Sequence, residues 1–193
     1  MSRIINIIGD SNSGKTGMIE KLIELARKES LSVSVVKSTP QGFDIDKEGK
    51  DSFRFTKSGS EEVCLISEEK SIIFINRKIG LKYYILDYLY NKDLVIIEGF
   101  KEISPFKKII TAKNSRDFKS PFSPDTIALY SENSSIKEIE GKPIYSDGDI
   151  VKLWNLIKDI EEYKLRLKIN GDEIEMNSFV NTSIQMIILS LIK

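Results

Sequence analysis

The chain has 193 residues, with 29 Lys and Arg against 29 Asp and Glu, a formal charge of zero, and 40% apolar side chains. That suits one α/β domain with a small appendage, and a neutral total offers no broad basic surface for nucleic acid or an anionic membrane. One cysteine, Cys64, and no histidine exclude an internal disulfide, histidine acid–base catalysis and a thiol–imidazole set for zinc, nickel or copper.

In chain order, Ile4 to Ile8 is a β-branched run that reads as a strand covered on both faces. Asn6 interrupts it and no small-residue cleavage site follows, so it is a first strand rather than a signal peptide. Met18, Ile19, Leu22, Ile23, Leu25 and Ala26 then recur at helical spacing. Leu31 to Val36 is a second strand, and Thr39 to Lys50, with Pro40, Gly42 and Gly49, is a loop. Asp51 or Ser52 caps a short helix carrying Phe53 and Phe55 that ends near Gly59. Glu62 to Ile66 and Ser71 to Ile75 are two short strands around a turn, which places Cys64 in a strand as a buried residue. A helix over Leu81 to Tyr90 precedes the apolar strand Leu94 to Ile97. Strands follow at Lys108 to Thr111, Thr126 to Leu129 and Pro143 to Tyr145. Asp149 caps a helix through Val151, Leu153, Trp154, Ile157 and Ile160, with Trp154 in the core.

Helices alternating with buried strands predict a doubly wound, mostly parallel sheet over residues 1–162. Residues 163–193 change character. Leu165, Leu167 and Ile169 alternate with charged residues, Asn170-Gly171 suits a tight turn, and Ile174 and Met176 continue on the return strand. A last helix carries Val180, Ile184, Ile187, Ile188 and Leu191 on one side. The apolar run from Met186 to Ile192 is far short of the roughly 20 residues that span a bilayer. A cytoplasmic location is expected.

Gly9-Asp10-Ser11-Asn12-Ser13-Gly14-Lys15-Thr16 fits G-x-x-x-x-G-K-[ST] at every fixed position, between a buried strand and an amphipathic helix. This is a P-loop. Its N–H groups, together with those of Gly17 at the helix start, wrap phosphates. Lys15 supplies a point charge for the β- and γ-phosphates, and the Thr16 hydroxyl suits Mg²⁺. Glu98 ends the strand Leu94 to Ile97, at the carboxyl edge where open α/β sheets bind ligands, and is the candidate carboxylate for Mg²⁺. Gly99 lets the chain turn past it. Asp93, at the other end of that strand, reads as a structural cap or solvated charge. Asp44 and Asp46 follow the second strand, and one of them is placed to orient a magnesium-bound or attacking water. The catalytic residue is open, with Asp46 and Lys15 as candidates. Base recognition is weakly marked: Asn91-Lys92-Asp93-Leu94 departs from Asn-Lys-x-Asp, and Ser131-Glu132-Asn133 after a late strand is better placed.

The P-loop, the segment FDIDKEGKDSFRFTKSGSEEV and the strand end DLVIIEGFK, in that order, resemble the molybdopterin-guanine dinucleotide biosynthesis accessory protein family, MobB. Asp44, Asp46, Gly49, Lys50, Asp51, Ser52, Arg54 and Gly59 match its middle signature, and Ile97 to Lys101 match its V-E-G-F-K-like segment. The tail LKINGDEIEMNSFV is similar to an extension carried by some members. The resemblance implies a GTP-binding, Mg²⁺-dependent protein with at most slow hydrolysis. It also implies a homodimer that assists the guanylyltransferase joining GMP to molybdopterin. The family usually has histidines near Lys37 to Asp44; here that stretch has none, so a contact made there in relatives is missing. Two other classes suit the same P-loop and strand-end Glu-Gly: a small-molecule kinase or ATP-dependent ligase, and a nickel-insertion type GTPase, against which the absent histidines count.

Overall fold

The computed structural model describes residues 2–43, 46–85, 89, 91–101, 106–162, 167–169, 172–174, 180, 183–184 and 187. It divides into two compact units, one formed by Met1–Ser38 and Ile85–Lys193 and the other by Thr39–Tyr84.

The larger unit is built on a seven-stranded sheet. Its strands are β1 (Arg3–Gly9), β2 (Val33–Lys37), β5 (Leu94–Glu98), β6 (Lys107–Thr111), β7 (Thr126–Tyr130), β8 (Glu138–Ile139) and β9 (Lys142–Tyr145), in the order β2-β5-β1-β6-β7-β9-β8. Every neighbouring pair is parallel except β8 with β9. This is the mostly parallel sheet that the alternation of helix and strand predicts. The second strand starts two residues later than expected and includes Lys37. β1 lies inside the sheet between β5 and β6, with Ile7 beside Glu98 on one flank and Gly9 beside Thr111 on the other.

Branched apolar side chains fill the sheet because each inner strand is covered on both faces. On one face Ile5 and Ile7 of β1, Leu94 and Ile96 of β5, Ile109 of β6, and Ala128 and Tyr130 of β7 form the core. They do so with two helices, α1 (Lys15–Lys28) and α4 (Ile150–Lys158). From α1 come Met18, Ile19, Leu22 and Ala26, the residues at helical spacing; from α4 come Leu153, Trp154 and Ile157. The Trp154 indole N–H donates to Glu29 at 2.8 Å, so the ring is buried without an orphaned donor. Asp149 holds the N-cap position of α4, but its carboxylate makes no cap bond. It is taken instead by Ser146, Lys137 and Lys152. Asp93 is structural, as expected: its Oδ2 accepts from the backbone N–H and the hydroxyl of Ser32, both at 2.7 Å.

The smaller unit holds α2 (Asp51–Lys57), an antiparallel pair β3 (Glu62–Ile66) and β4 (Ser71–Ile75), and α3 (Leu81–Tyr84). Sequence reading has these elements but does not set them apart as a unit. Lys50, rather than Asp51 or Ser52, occupies the N-cap position of α2. Cys64 lies in β3 as expected but is exposed, which corrects the expectation of burial. The pair has only two strands, so alternate side chains face solvent; Val63 is buried and its neighbour Cys64 is not.

Near the end of the chain β10 (Leu167–Ile169) pairs antiparallel with β11 (Asp172–Ile174), Leu167 opposite Ile174 and Ile169 opposite Asp172. The turn residues 170–171, Leu165, Met176 and most of the helix expected after the hairpin lie outside the described residues, as do Asp44 and most of residues 85–90 of the helix expected over Leu81 to Tyr90.

Candidate functional site

β1 delivers the chain to the carboxyl edge of the sheet, and the loop from Gly9 to Gly14 turns it back into α1. Gly14 is the N-cap residue, in a left-handed conformation at φ 86°, with no side-chain cap bond and no acidic residue in the first turn. Most helices satisfy their first N–H groups with a Ser, Thr, Asp or Asn side chain. Here Gly14 offers no capping side chain, an arrangement suited to an anion, and the helix dipole adds positive potential. Asn12 is also left-handed, at φ 59°. Left-handed residues alternating with right-handed ones curl successive N–H groups toward a common centre. Gly9 is needed for space, since a Cβ there would come within 2.2 Å of Thr111 Oγ1 and 2.4 Å of the Thr111 carbonyl oxygen.

Two hydroxyls pin the loop to the sheet. Ser13 is buried, and its Oγ lies 2.5 Å from Thr111 Oγ1 at the end of β6. The Thr111 hydroxyl also reaches the Ile8 carbonyl at 3.3 Å. Thr111 was not singled out from sequence; its signal is a hydroxyl ending an apolar strand that flanks the P-loop strand.

The Lys15 ammonium is folded into the loop. It donates to the Gly9 carbonyl at 3.0 Å, the Asp10 carbonyl at 2.5 Å and Ser13 Oγ at 3.5 Å. Desolvation lowers its pKa from the usual lysine value, and Glu98 opposes that shift. Thr16 follows at the surface and Gly17 continues the helix.

Glu98 ends β5 in register with Lys37, the last residue of β2. The Lys37 ammonium donates to both carboxylate oxygens at 2.9 Å. The Glu98 side chain is only 12% exposed, while that of Lys37 is 56% exposed. Lys37 therefore sits over the carboxylate on its solvent side. Gly99, at φ 88°, turns the chain away, and its N–H donates to the Ile7 carbonyl at 3.0 Å. Beyond it Lys101 pairs with Asp10 of the loop at 2.9 Å. The Lys101 hydrogen bond is the main reason the Asp10 carboxyl lies below the usual range.

On the other flank, a Cβ on Gly14 would meet Glu132 Oε1 at 2.9 Å. Glu132 follows β7, as the sequence reading of Ser131-Glu132-Asn133 expects. The Ser131 hydroxyl donates to the Lys113 carbonyl at 3.1 Å. The Tyr130 hydroxyl donates to Asp147, which also pairs with Lys21 of α1 at 2.6 Å. Asp46 belongs to the smaller unit, where its Oδ1 accepts from the Ser52 hydroxyl at 2.9 Å and the Lys47 N–H at 3.0 Å. The structure thus brings Gly9 to Gly17, Lys15 and Glu98 to one edge of one sheet, and adds Lys37, Lys101 and Thr111. Among the described residues no three His, Cys, Asp or Glu side chains cluster as a metal cage, and no helix is long and apolar enough to cross a membrane.

Residues 4–132, from the P-loop strand to Glu132, match the family model described as molybdopterin guanine dinucleotide synthesis protein B. The chain is 39% identical over 113 residues to the molybdopterin-guanine dinucleotide biosynthesis adapter protein of Haemophilus influenzae, covering 55% of this chain and 61% of that protein. It is 38% identical over 102 residues to a putative protein of the same description from Methanocaldococcus jannaschii, covering 52% of this chain and 42% of that one. It therefore spans less than two thirds of these two relatives' own length. The crystal structure of Bacillus subtilis MobB has the same fold, with a TM-score of 0.68 and 25% identity over 83% of this chain and 99% of that one. The strand order, the loop that β1 delivers and the match through residue 132 agree: the chain belongs to the molybdopterin guanine dinucleotide synthesis protein B family.

Proposed function

We propose that the protein binds GTP with Mg²⁺ in its P-loop and acts as an adapter for the guanylyltransferase that joins GMP to molybdopterin. The observation that carries this reading is the uncapped α1 N-terminus behind Gly9–Gly14, in a chain of this family. The loop N–H groups and Lys15 hold the phosphates. For Lys15 this means exchanging the Gly9 and Asp10 carbonyls for phosphate oxygens.

The donor set suits magnesium, which takes one or two protein oxygens and fills its octahedron with phosphate and water. Here those oxygens are the Thr16 hydroxyl and the Glu98 carboxylate, which gives up its contact with Lys37 to bind directly or holds a coordinated water. Bound there, the ion offsets phosphate charge. Asp46, engaged by Ser52, is the remaining acidic candidate to hold a water. Self-association is the other part of the reading. The β3–β4 pair exposes Ile66 (81%) and Ile73 (51%) on one face, an apolar surface on a two-stranded sheet whose edges favour pairing.

Calorimetric titration with GTP and then ATP, each with Mg²⁺, tests the nucleotide. Tighter binding of GTP supports the adapter reading. Equal or tighter binding of ATP overturns it in favour of a metabolic P-loop enzyme with a small-molecule acceptor. Sedimentation of wild type against Ile66→Asp tests the dimer, which the variant is expected to convert to monomer.

A further inference from the structure

Beside the phosphate loop, the carboxyl ends of β1 and β6 border a cleft of about 460 Å³. Gly9, Asp10, Ser11 and Ser13 of the phosphate loop line it together with the segment that follows β6, whereas Lys15 and Thr16 do not. The cleft therefore shares a wall with the phosphate cradle. Its lining is mixed. Ile8, Ile110, Ala112 and the half-buried Phe118 give apolar wall, and Lys101, Lys113 and Lys119 give positive charge.

The two carboxylates in the lining are both engaged. Asp10 is paired with Lys101 at 2.9 Å. Asp117 Oδ2 accepts from the backbone and side-chain N–H groups of Asn114 at 3.1 and 3.0 Å, which closes a capping box and fixes the loop before Phe118. Lys113 and Lys119 form no ion pair among the described residues, and Lys119 helps to hold the Asp10 carboxyl low. Two uncommitted ammonium groups beside an aromatic ring are a recognition set for an anion attached to a flat ring. The cations bind the phosphate oxygens by charge-assisted hydrogen bonds, and the ring stacks. The size agrees, because clefts that hold small organic ligands begin at roughly 300 Å³, far more than a bare phosphate needs.

We propose that this cleft holds a second ligand beside the nucleotide, a phosphomonoester of a planar heterocycle, with its ring on Phe118 and its phosphate between Lys113 and Lys119. The ligand class rests on the adapter reading above. The cleft places that ligand against the same loop that takes the nucleotide. Gly9, Asp10 and Ser13, which all accept from Lys15, are common to both.

The test is fluorescence titration of the full chain with 6-(hydroxymethyl)pterin phosphate, with and without saturating GTP and Mg²⁺. The expected result is saturable binding that persists with GTP. The unphosphorylated pterin and orthophosphate each bind at least about tenfold more weakly. The double variant Lys113→Ala, Lys119→Ala loses about a hundredfold, at about tenfold per lysine, and Phe118→Ala weakens the ring contact. GTP affinity of the double variant within about twofold of wild type shows a folded protein with an intact loop. Absence of saturation, mutual exclusion with GTP, unchanged affinity in the double variant, or an equal loss of its GTP binding would each overturn the assignment. The two readings fail separately. If GTP does not bind while the pterin phosphate behaves as expected, the nucleotide reading falls; GTP binding without any pterin phosphate binding removes the cleft ligand alone.

Discussion

At the scale of single residues, the site is a set of charges that satisfy one another. Lys15 is held by loop carbonyls and Glu98 by Lys37, and under the proposed function a magnesium nucleotide would displace both contacts. Lys15→Ala is expected to weaken GTP by about a hundredfold, about 3 kcal/mol, because charge-assisted bonds to the phosphates are lost; calorimetry reads this directly. Glu98→Gln is expected to raise the half-saturating Mg²⁺ concentration about tenfold, and Lys37→Ala to lower it, since a cation competing for the same oxygens is gone. Superimposed magnesium titrations of Glu98→Gln and wild type would remove Glu98 from the site. The P-loop was legible in the sequence because its chemistry lies within eight consecutive residues and its strand and helix flank it directly. Lys37 and Thr111 were not, because each meets its partner only through strand register: Lys37 beside Glu98, and Thr111 beside Gly9. Register between strands some 60 to 100 residues apart leaves no local pattern.

At the scale of elements, carboxylates clamp neighbouring pieces of the larger unit together. Glu29, just beyond α1, accepts from Trp154 and Lys158 of α4. Asp147 accepts from Tyr130 of β7 and pairs with Lys21 of α1. Asp93 joins the start of β5 to Ser32 before β2. Hydrogen bonds and cations hold all three below the usual carboxylate range, Lys158 leading for Glu29, Lys21 for Asp147 and Ser32 for Asp93. A depressed folded pKa stabilises above the unfolded value near 4 and loses that contribution as pH falls through the folded value. Thermal melting temperature is therefore expected to hold from about pH 7 to 5 and to drop below about pH 4. Glu29→Gln should shrink that drop, while a profile identical to wild type would count against the clamp. The helices themselves were readable from apolar spacing, as in α1 and α4. The exposure of Cys64 was not, because an apolar stretch looks the same in a two-stranded pair as in a covered sheet.

At the scale of the whole molecule, the strand order matters more than any one contact. β1 enters first in sequence but lies between β5 and β6, so Arg3 pairs beside Leu94 and Gly9 beside Thr111. The alternation of helix and strand predicts a parallel sheet but not which strands flank β1; that follows from crossovers, which composition does not encode. The 46-residue unit from Thr39 to Tyr84 is spelled out between β2 and β5, two strands that end as neighbours. This layout bears on how the protein is made. A ribosome adding about 5 to 20 residues per second produces the P-loop roughly 5 to 20 s before the strand end that carries Thr111. For most of that interval Gly9–Thr16 has neither flanking strand, and throughout it lacks the hydroxyl that pins Ser13. Synthesis of the loop and acquisition of a nucleotide are thus separate events, and a nascent chain shorter than about 111 residues carries the motif without the cradle.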